Sequence, residues 1–355
     1  MHILALTRYA ALGASSRVRF YHYLPHLRAA GLDVRVAPLF DDAYVRRLYA
    51  RRPARLLPVA AAYVRRVGWL LRAHRFARLW IESELLPWLP AAFERLLTLL
   101  GISYVVDYDD AIFHRYDAHP AGPVRALLGR KIDVVMRSAS VVMAGNRYLA
   151  ERARRAGARH VALVPTVVDV ERYQPPAVSA PDRPFLIGWI GSPSTVHYLE
   201  GIVPALRAVC REGKAAVRLI GTSLDGAAGL PVESRPWIED REVDELGAFD
   251  VGIMPLHDGP WERGKCGYKL IQYMACGRPV VASPVGANLD IVTHGEHGLF
   301  ASTVDEWIDA LDTLRRDANL REHMGRAGRR RVVEQYSLQA WAPRVAALLR
   351  GDPEP

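Results

Sequence analysis

Lysine and cysteine are the scarce residues of this 355-residue chain, with four lysines among 47 basic side chains and three cysteines in all. Cys210, Cys266 and Cys276 form an odd set with no CxxC spacing, which excludes a disulfide framework and a zinc knuckle and fits a reducing cytosol. Long apolar runs are missing too. The longest charge-free stretches, near Leu56 to Val64 and Leu96 to Val106, fall well short of the ~20 residues that a spanning helix needs. The opening residues Met1 to Arg8 lack a basic leader before a long apolar stretch and are expected to form a buried strand, not a signal peptide. Glycine and proline stand near ordinary use, so a collagen-like or disordered chain is excluded.

What is present is length and an uneven positive charge. A chain of 355 residues exceeds what one core usually organises, so two domains are expected. The net charge of +9 is divided as +13 in residues 1–175, with 27 Lys+Arg against 14 Asp+Glu, and −4 in the remainder. Short apolar runs alternate with helical patterns throughout, the mark of α/β units around parallel sheets. Strands are expected at Ile3 to Thr7, Asp33 to Leu39, Leu79 to Glu82, Tyr104 to Asp107, Val141 to Ala144 and Val161 to Pro165, with helices such as Val18 to Ala30 and Val124 to Arg137. The pattern restarts at Phe185 to Gly191, Val217 to Gly221, Val251 to Pro255, Pro279 to Ser283 and Leu299 to Ala301. Between them, Tyr173 to Pro184 carries four prolines and cannot continue a helix or central strand. The expected division is a first Rossmann-like domain over residues 1–176, a linker over 177–184, a second such domain over 185–337, and a final helix over 338–355 that starts after Ser337 and packs back on the first domain. Open sheets of this kind bind ligands beyond the carboxyl ends of their strands, so a cleft between the two domains is the expected site.

The most informative stretch runs from Lys265 to Gly286. It reads as a loop, a helix starting near Gly267, a glycine stop at Gly277 and a buried strand. A helix start of this kind favours an anion, at ~0.3–1 kcal/mol per charge. Two of the four lysines, Lys265 and Lys269, stand one helical turn apart here, as compact ammonium groups in a chain that otherwise uses arginine. Solvated surface charge and phosphate contact are the two readings of that pair.

This segment resembles the donor-binding signature of glycosyltransferase family 4, retaining enzymes of the GT-B fold that take sugars from nucleotide-sugar donors without a metal or other cofactor. The chain keeps Gly267, Met274-Ala275, Gly277 and Pro279 to Ser283. It departs at both family acids, with Gly264 at the first glutamate position and Gln272 at the second, and Lys269 to Gly277 conform to a variant Lys-Leu-x-Gln-Tyr-Met-Ala-x-Gly form. The resemblance implies that Gln272 holds the nucleotide ribose as a neutral partner, beside Gly267 and Tyr268, while Gly264 cannot contact the donor sugar and Glu262 is the candidate substitute. Lys265 and Lys269 are then the stabilisers of the departing diphosphate.

Further candidates fall into the same frame. Gly188 to Thr195 is a strand, loop and helix start, in which Gly191, Ser192, Ser194 and Thr195 are either diphosphate contacts or simple N-caps. Trp237 and Ile238 are candidates for holding the base, with a core role for the tryptophan as the alternative. In the first domain, Asp107-x-Asp109 matches a metal triplet too short to carry weight, and no metal is expected. Asp110 and His114 are read as sugar or acceptor contacts, or as structural caps. Gly13, Ser16 and Arg17 after the first strand are candidate acceptor-side contacts, against N-capping and solvation. His294 and His297 have ligand-like spacing that a surface turn explains more simply. Tyr44 to Trp80 holds ten arginines and no acid, interleaved with aromatic residues. A solvated helix face, a nucleic-acid patch and an anionic membrane surface compete there, and without any nucleic-acid module the membrane surface is preferred.

The implied reaction is transfer of a sugar from a nucleotide-diphosphate sugar to a hydroxyl of a polysaccharide, glycolipid or lipid-linked acceptor, in the cytoplasm or at the inner face of the membrane. A nucleotide-sugar epimerase on the same fold and a non-catalytic nucleotide-binding homologue are the alternatives.

Overall fold

The computed structural model describes residues 1–50, 52–176, 183–224 and 229–352. They divide into two compact units: Met1–Thr166 with Arg263–Cys266 and Leu338–Pro355, and Val167–Glu262 with Gly267–Ser337.

The first unit is built on a parallel sheet of β1 (His2–Leu6), β2 (Asp33–Val36), β3 (Arg78–Glu82), β4 (Tyr104–Tyr108), β5 (Val141–Ala144) and β6 (Val161–Leu163), in the order β2-β1-β3-β4-β5-β6. Ile3 to Leu6 and all of β4 are buried on both faces, which is why these strands read as continuous apolar runs instead of alternating ones. The strand order reverses between β1 and β3, and ligands of open sheets bind at the carboxyl ends beside such a reversal.

The second unit holds β7 (Phe185–Ile190), β8 (Ala215–Ile220), β9 (Val232–Arg235), β10 (Val251–Met254), β11 (Val280–Ala282) and β12 (Gly298–Phe300), again all parallel, in the order β12-β11-β10-β7-β8-β9. This is the dinucleotide-fold order, with its reversal between β7 and β10. Strand β9 is absent from the sequence expectation. Its residues Val-Glu-Ser-Arg lie at a sheet edge with two of four exposed, so no apolar run announces them.

Two expected helices are broken where the sequence carries a local reason. Val18 to Ala30 divides into Ala14–Arg19, a 3₁₀ turn at Tyr21–Tyr23, and Leu24–Ala29 with Pro25 in its first turn. Val124 to Arg137 divides into Gly122–Leu128 and Lys131–Ser138 around Gly129, where a Cβ would stand 2.4 Å from the Arg125 carbonyl oxygen.

The expected domain boundary at residue 176 moves to 166. Val168 donates its N–H to the Tyr336 carbonyl at 3.0 Å, and the Tyr173 ring is buried, so this stretch completes the second unit. Of the expected linker, residues 177–182 lie outside the described residues. The helix Leu338–Arg350 belongs to the first unit, where it packs on Leu24–Ala29 and its Leu348 carbonyl accepts from Arg78 at 3.2 Å. Ser337 donates its hydroxyl back to the Val333 carbonyl at 2.7 Å. No helix among the described residues is long and apolar enough to cross a membrane.

Candidate functional site

In the second unit the loop after β7 emerges at the strand-order reversal. Gly191 is dictated by its neighbours: a Cβ there would stand 2.4 Å from the Trp189 ring and 2.9 Å from Thr195 Oγ1. The loop closes on itself, with Thr195 N–H and Oγ1 both donating to the Ser192 carbonyl, at 3.0 and 3.1 Å, and the Ser192 and Ser194 hydroxyls 2.7 Å apart. Thr195 begins a 3₁₀ segment, Val196–Ile202, in place of the expected α-helix, and Pro204 starts the helix Val203–Val209. Lys269 Nζ lies 5.3 Å from the centroid of the buried Trp189 ring. Trp189 therefore connects the lysine to the loop, and Lys269, Gly191 and Thr195 share one corner of the unit.

The helix Tyr268–Ala275 starts from Gly267 in the left-handed region, with φ 65°. Glycine is required there for a second reason: a Cβ would meet Ile291 Cδ1 at 2.2 Å. Trp237 also lies at this end of the sheet. A Cβ on Gly221 would stand 2.5 Å from the Gly191 carbonyl oxygen and 3.4 Å from Trp237 Cβ. Ile238 beside it is exposed.

Gln272 is placed differently from its expected role. It is 2 % exposed, and its amide donates to the Tyr173 hydroxyl at 3.0 Å. Tyr173 in turn donates to Glu242 Oε1, and Trp237 Nε1 donates to the other oxygen of Glu242. The buried Glu242 carboxylate is thus satisfied by two ring donors, and Tyr268 Oη lies 3.4 Å from Tyr173 Oη. Tyr173 does not stand out in the sequence, because Glu242 and Gln272 lie 69 and 99 residues away from it. Glu262, the candidate substitute acid, accepts from the Tyr198 hydroxyl at 2.6 Å.

Arg263–Cys266 belongs to the first unit, where side chains of that unit anchor it. Asn146 Nδ2 donates to the carbonyls of Arg263 and Lys265, at 3.2 and 3.0 Å, and Cys266 Sγ donates to the Asp109 carbonyl at 3.0 Å. Lys265 Nζ lies 3.6 Å from Asp110 Oδ1, so two expected site residues form an ion pair. His114 is engaged at both ring nitrogens, by Asp117 and by the Tyr148 hydroxyl, each at 2.8 Å. That favours its structural reading.

The expected acceptor-side contacts turn inward. Ser16 is fully buried, accepting from the Tyr9 N–H at 3.0 Å and donating to Glu82 Oε2 at 2.6 Å. Arg17 is buried and donates to the Ala11 and Leu12 carbonyls. Gly13 is needed because a Cβ would stand 2.4 Å from Tyr9 Cβ. Asp107 is held by both arms of the buried Arg19 guanidinium, at 2.8 and 3.1 Å, which occupies the would-be metal triplet. Among the described residues no group of three His, Cys, Asp or Glu side chains is placed to hold a metal. His294 and His297 accept the N–H groups of Phe300 and Thr293, closing a turn.

Sequence reasoning missed the end of β3. Burial pushes the Glu82 carboxyl up to about 7, against donors from Ser16 and the Arg8 N–H. The next residue, Ser83, is a non-glycine at φ 62°, and strained backbone of this kind concentrates at functional sites. Glu84 follows, bonded to the Tyr116 hydroxyl and to Lys131. These groups lie at the strand-order reversal of the first unit. The available signal was Glu-Ser-Glu at the carboxyl end of a buried strand.

Residues 184–317 match the family described as Glycosyl transferases group 1. Over 151 residues the chain is 27% identical to N-acetyl-alpha-D-glucosaminyl L-malate synthase of Bacillus anthracis, covering 40% of this chain and 39% of that protein. Over 221 residues it is 29% identical to the GDP-mannose-dependent alpha-(1-6)-phosphatidylinositol monomannoside mannosyltransferase of Mycobacterium tuberculosis, covering 53% and 55%. The aligned region thus spans about half the length of these relatives or less. The fold is similar to that of Anabaena HepE in its complex with UDP, with a TM-score of 0.74 at 16% identity over 99% of this chain and 100% of that one. The chain therefore has the two Rossmann-like domains of the GT-B fold, and its residues 184–317 are similar to the group 1 glycosyl transferases.

Proposed function

We propose that the protein is a retaining glycosyltransferase that moves a sugar from a nucleoside-diphosphate sugar to a hydroxyl of an acceptor. The observation that carries this reading is the corner formed by Lys269, Trp189, Gly191 and Thr195 at the strand-order reversal of the group 1 domain. An ammonium group fixed beside a glycine loop and a helix start offers preorganised positive potential to a departing diphosphate. Lys265, paired with Asp110, is assigned to the same transfer step. The leaving phosphate takes the proton of the acceptor hydroxyl as the new glycosidic bond forms, so the reaction draws on no protein nucleophile and no metal.

The acceptor is assigned to the first unit, where Arg8, Glu82 and Glu84 gather around the strained Ser83. A glycolipid or lipid-linked saccharide is the favoured class. The name of the Mycobacterium relative, which includes a phosphatidylinositol monomannoside, supports it, as does the surface of residues 44–80. That surface exposes Leu48, Tyr49, Leu56, Leu57, Val64 and Leu71 among arginines, a composition suited to anionic headgroups on the cytoplasmic side of a membrane. Most of its aromatic residues face inward. Tyr44 stacks on Phe40 at 4.1 Å, and Tyr63 donates to the Pro87 carbonyl at 2.7 Å.

Two observations favour a second reading, a nucleotide-binding protein without turnover: Gln272 is committed to Tyr173, and position 264 has no room for an acid. Incubation with a panel of sugar nucleotides and membrane lipid extract separates the readings. A glycosylated acceptor with retained anomeric configuration supports transfer. Free isomerised sugar nucleotide would mean an epimerase, and binding without product would mean the non-catalytic protein.

A further inference from the structure

The second unit has a pocket of about 930 Å³ at the amino ends of its strands, the edge opposite the loop after β7. Phe185 begins β7, and Lys214, Asp250 and Pro279 immediately precede β8, β10 and β11. Eight of the eighteen lining residues are Arg or Lys and two are acidic. Four of the eight have a carboxylate partner: Arg183 with Asp250, Lys214 with Glu212, Arg315 with Asp312, and Arg326 with Glu322.

Three others are held by backbone oxygens, which fix the guanidinium without neutralising it. Arg321 donates to the carbonyls of Leu314 and Arg315, at 2.6 and 3.1 Å. Arg329 donates to the carbonyls of Ala275 and Val170, at 2.7 and 2.8 Å, and to that of Tyr173. Arg278 donates to the Gly247 carbonyl, and its Nε is buried with no hydrogen-bond partner among the described residues. Burial holds the Arg278 guanidinium below its ordinary value; Asp250 and Cys276 oppose that shift, and the neighbouring Arg183 and Arg321 add to it. Fixed and crowded guanidinium groups that outnumber the carboxylates around a concave space are what a multiply charged phosphoryl group requires, and the volume lies in the range of small-ligand sites.

We infer that this pocket is a second anion site, which binds a phosphoryl-bearing ligand through Arg278, Arg321 and Arg329 independently of the donor corner at Lys269. Cys276 and Gly277, which directly follow the helix Tyr268–Ala275, line the pocket, and Arg329 donates to the Ala275 carbonyl, so one helix joins the pocket to the corner at Lys269.

The test is calorimetric titration of inorganic pyrophosphate into the full-length Lys269→Ala protein, in which the donor corner is disabled. One binding event is expected. It weakens by at least about tenfold when Arg321→Gln is added, because each charge-assisted contact to phosphate is worth more than a neutral hydrogen bond. Arg330 also lines the pocket and is exposed, so Arg330→Gln, checked by its thermal midpoint, supplies a second variant should Arg321→Gln unfold. Vesicles containing phosphatidylglycerol distinguish the source of the phosphoryl group. Competition with pyrophosphate identifies a lipid headgroup, and its absence identifies a free phosphate compound. No pyrophosphate binding by the Lys269→Ala protein, or unchanged binding in both pocket variants, overturns the inference. Neither result bears on nucleotide binding by the wild type, which tests the proposed transferase separately.

Discussion

Gly264 approaches Ala111 so closely that a Cβ at 264 would stand 2.3 Å from the Ala111 Cβ and 2.7 Å from its backbone nitrogen. The acid that the resembling family carries at this position is excluded by packing inside the first unit. The same segment presses Cys266 against Gly145, where a Cβ would meet the sulfur at 2.4 Å. Gly264→Ala is expected to cost about 1–3 kcal/mol through overpacking, and Gly264→Glu more. Denaturant melts measure this, and a Gly264→Glu protein as stable as the parent would contradict the packing account.

Lys269, beside the Trp189 ring, is the residue proposed to stabilise the departing diphosphate. Truncation to alanine is expected to lower turnover about 10²-fold or more, the usual scale for losing one preorganised charge-stabilising group. Lys265→Ala should act in the same direction. Unchanged rates in either variant would remove that lysine from the transfer step.

Gln272 reads as a ribose contact from its motif, yet it is a donor to Tyr173. Gln272→Glu removes that donor while the Tyr173 hydroxyl still serves Glu242, leaving two buried carboxylates around one hydroxyl. A loss of about 1–3 kcal/mol is expected at pH 8, the cost of unsatisfied buried polar groups. The loss should shrink at pH 5, where the new carboxyl is more readily protonated and able to donate. Melts at both pH values test this, and an equal loss at each would contradict it.

Glu82 makes stability depend on pH. Its folded value of about 7 lies above the ordinary 4.5, so between these values the folded chain binds more protons than the unfolded one. Stability therefore falls as pH rises through that window, and the part due to Glu82 is fully lost above it. Asp107, pushed up to about 6 by burial against the Arg19 pair, contributes in the same direction at lower pH. Glu82→Gln should flatten the decline between pH 5 and 7.5 in thermal melts. An unchanged slope would contradict the burial of an ionisable Glu82.

The basic surface of the first unit presents leucines more than aromatic rings, with Leu56 and Leu57 about 85% exposed. The double variant Leu56→Asp, Leu57→Asp should lose sedimentation with anionic vesicles while keeping its thermal midpoint. Full retention of vesicle binding would sink the membrane assignment.

Much of the fold was legible because parallel strands buried on both faces announce themselves, as Phe185–Ile190 and Tyr104–Tyr108 do. Gly267 and Gly277 were equally readable, since a glycine on either side of an apolar run marks a helix start and stop, and both have positive φ. What could not be read depends on partners distant in sequence. Ser16 reads as part of an exposed loop, yet it lies in the helix Ala14–Arg19 and is buried against Glu82, 66 residues later. Arg19 looks like a surface arginine until Asp107 and Val164 claim it. Residues 167–176 look like the end of the first domain, and the helix Ala318–Gln335 binds them to the second through Arg329.

The most direct test of the central claim is the thermal midpoint of the wild type and of Lys269→Ala across a panel of nucleoside diphosphates and their sugar conjugates. Specific binding stabilises by mass action, by about 2.7 kcal/mol at a hundredfold excess over Kd. The account predicts a concentration-dependent rise for one base in the wild type, absent or strongly reduced in Lys269→Ala. No rise with any nucleotide, or an equal rise in both proteins, would contradict it.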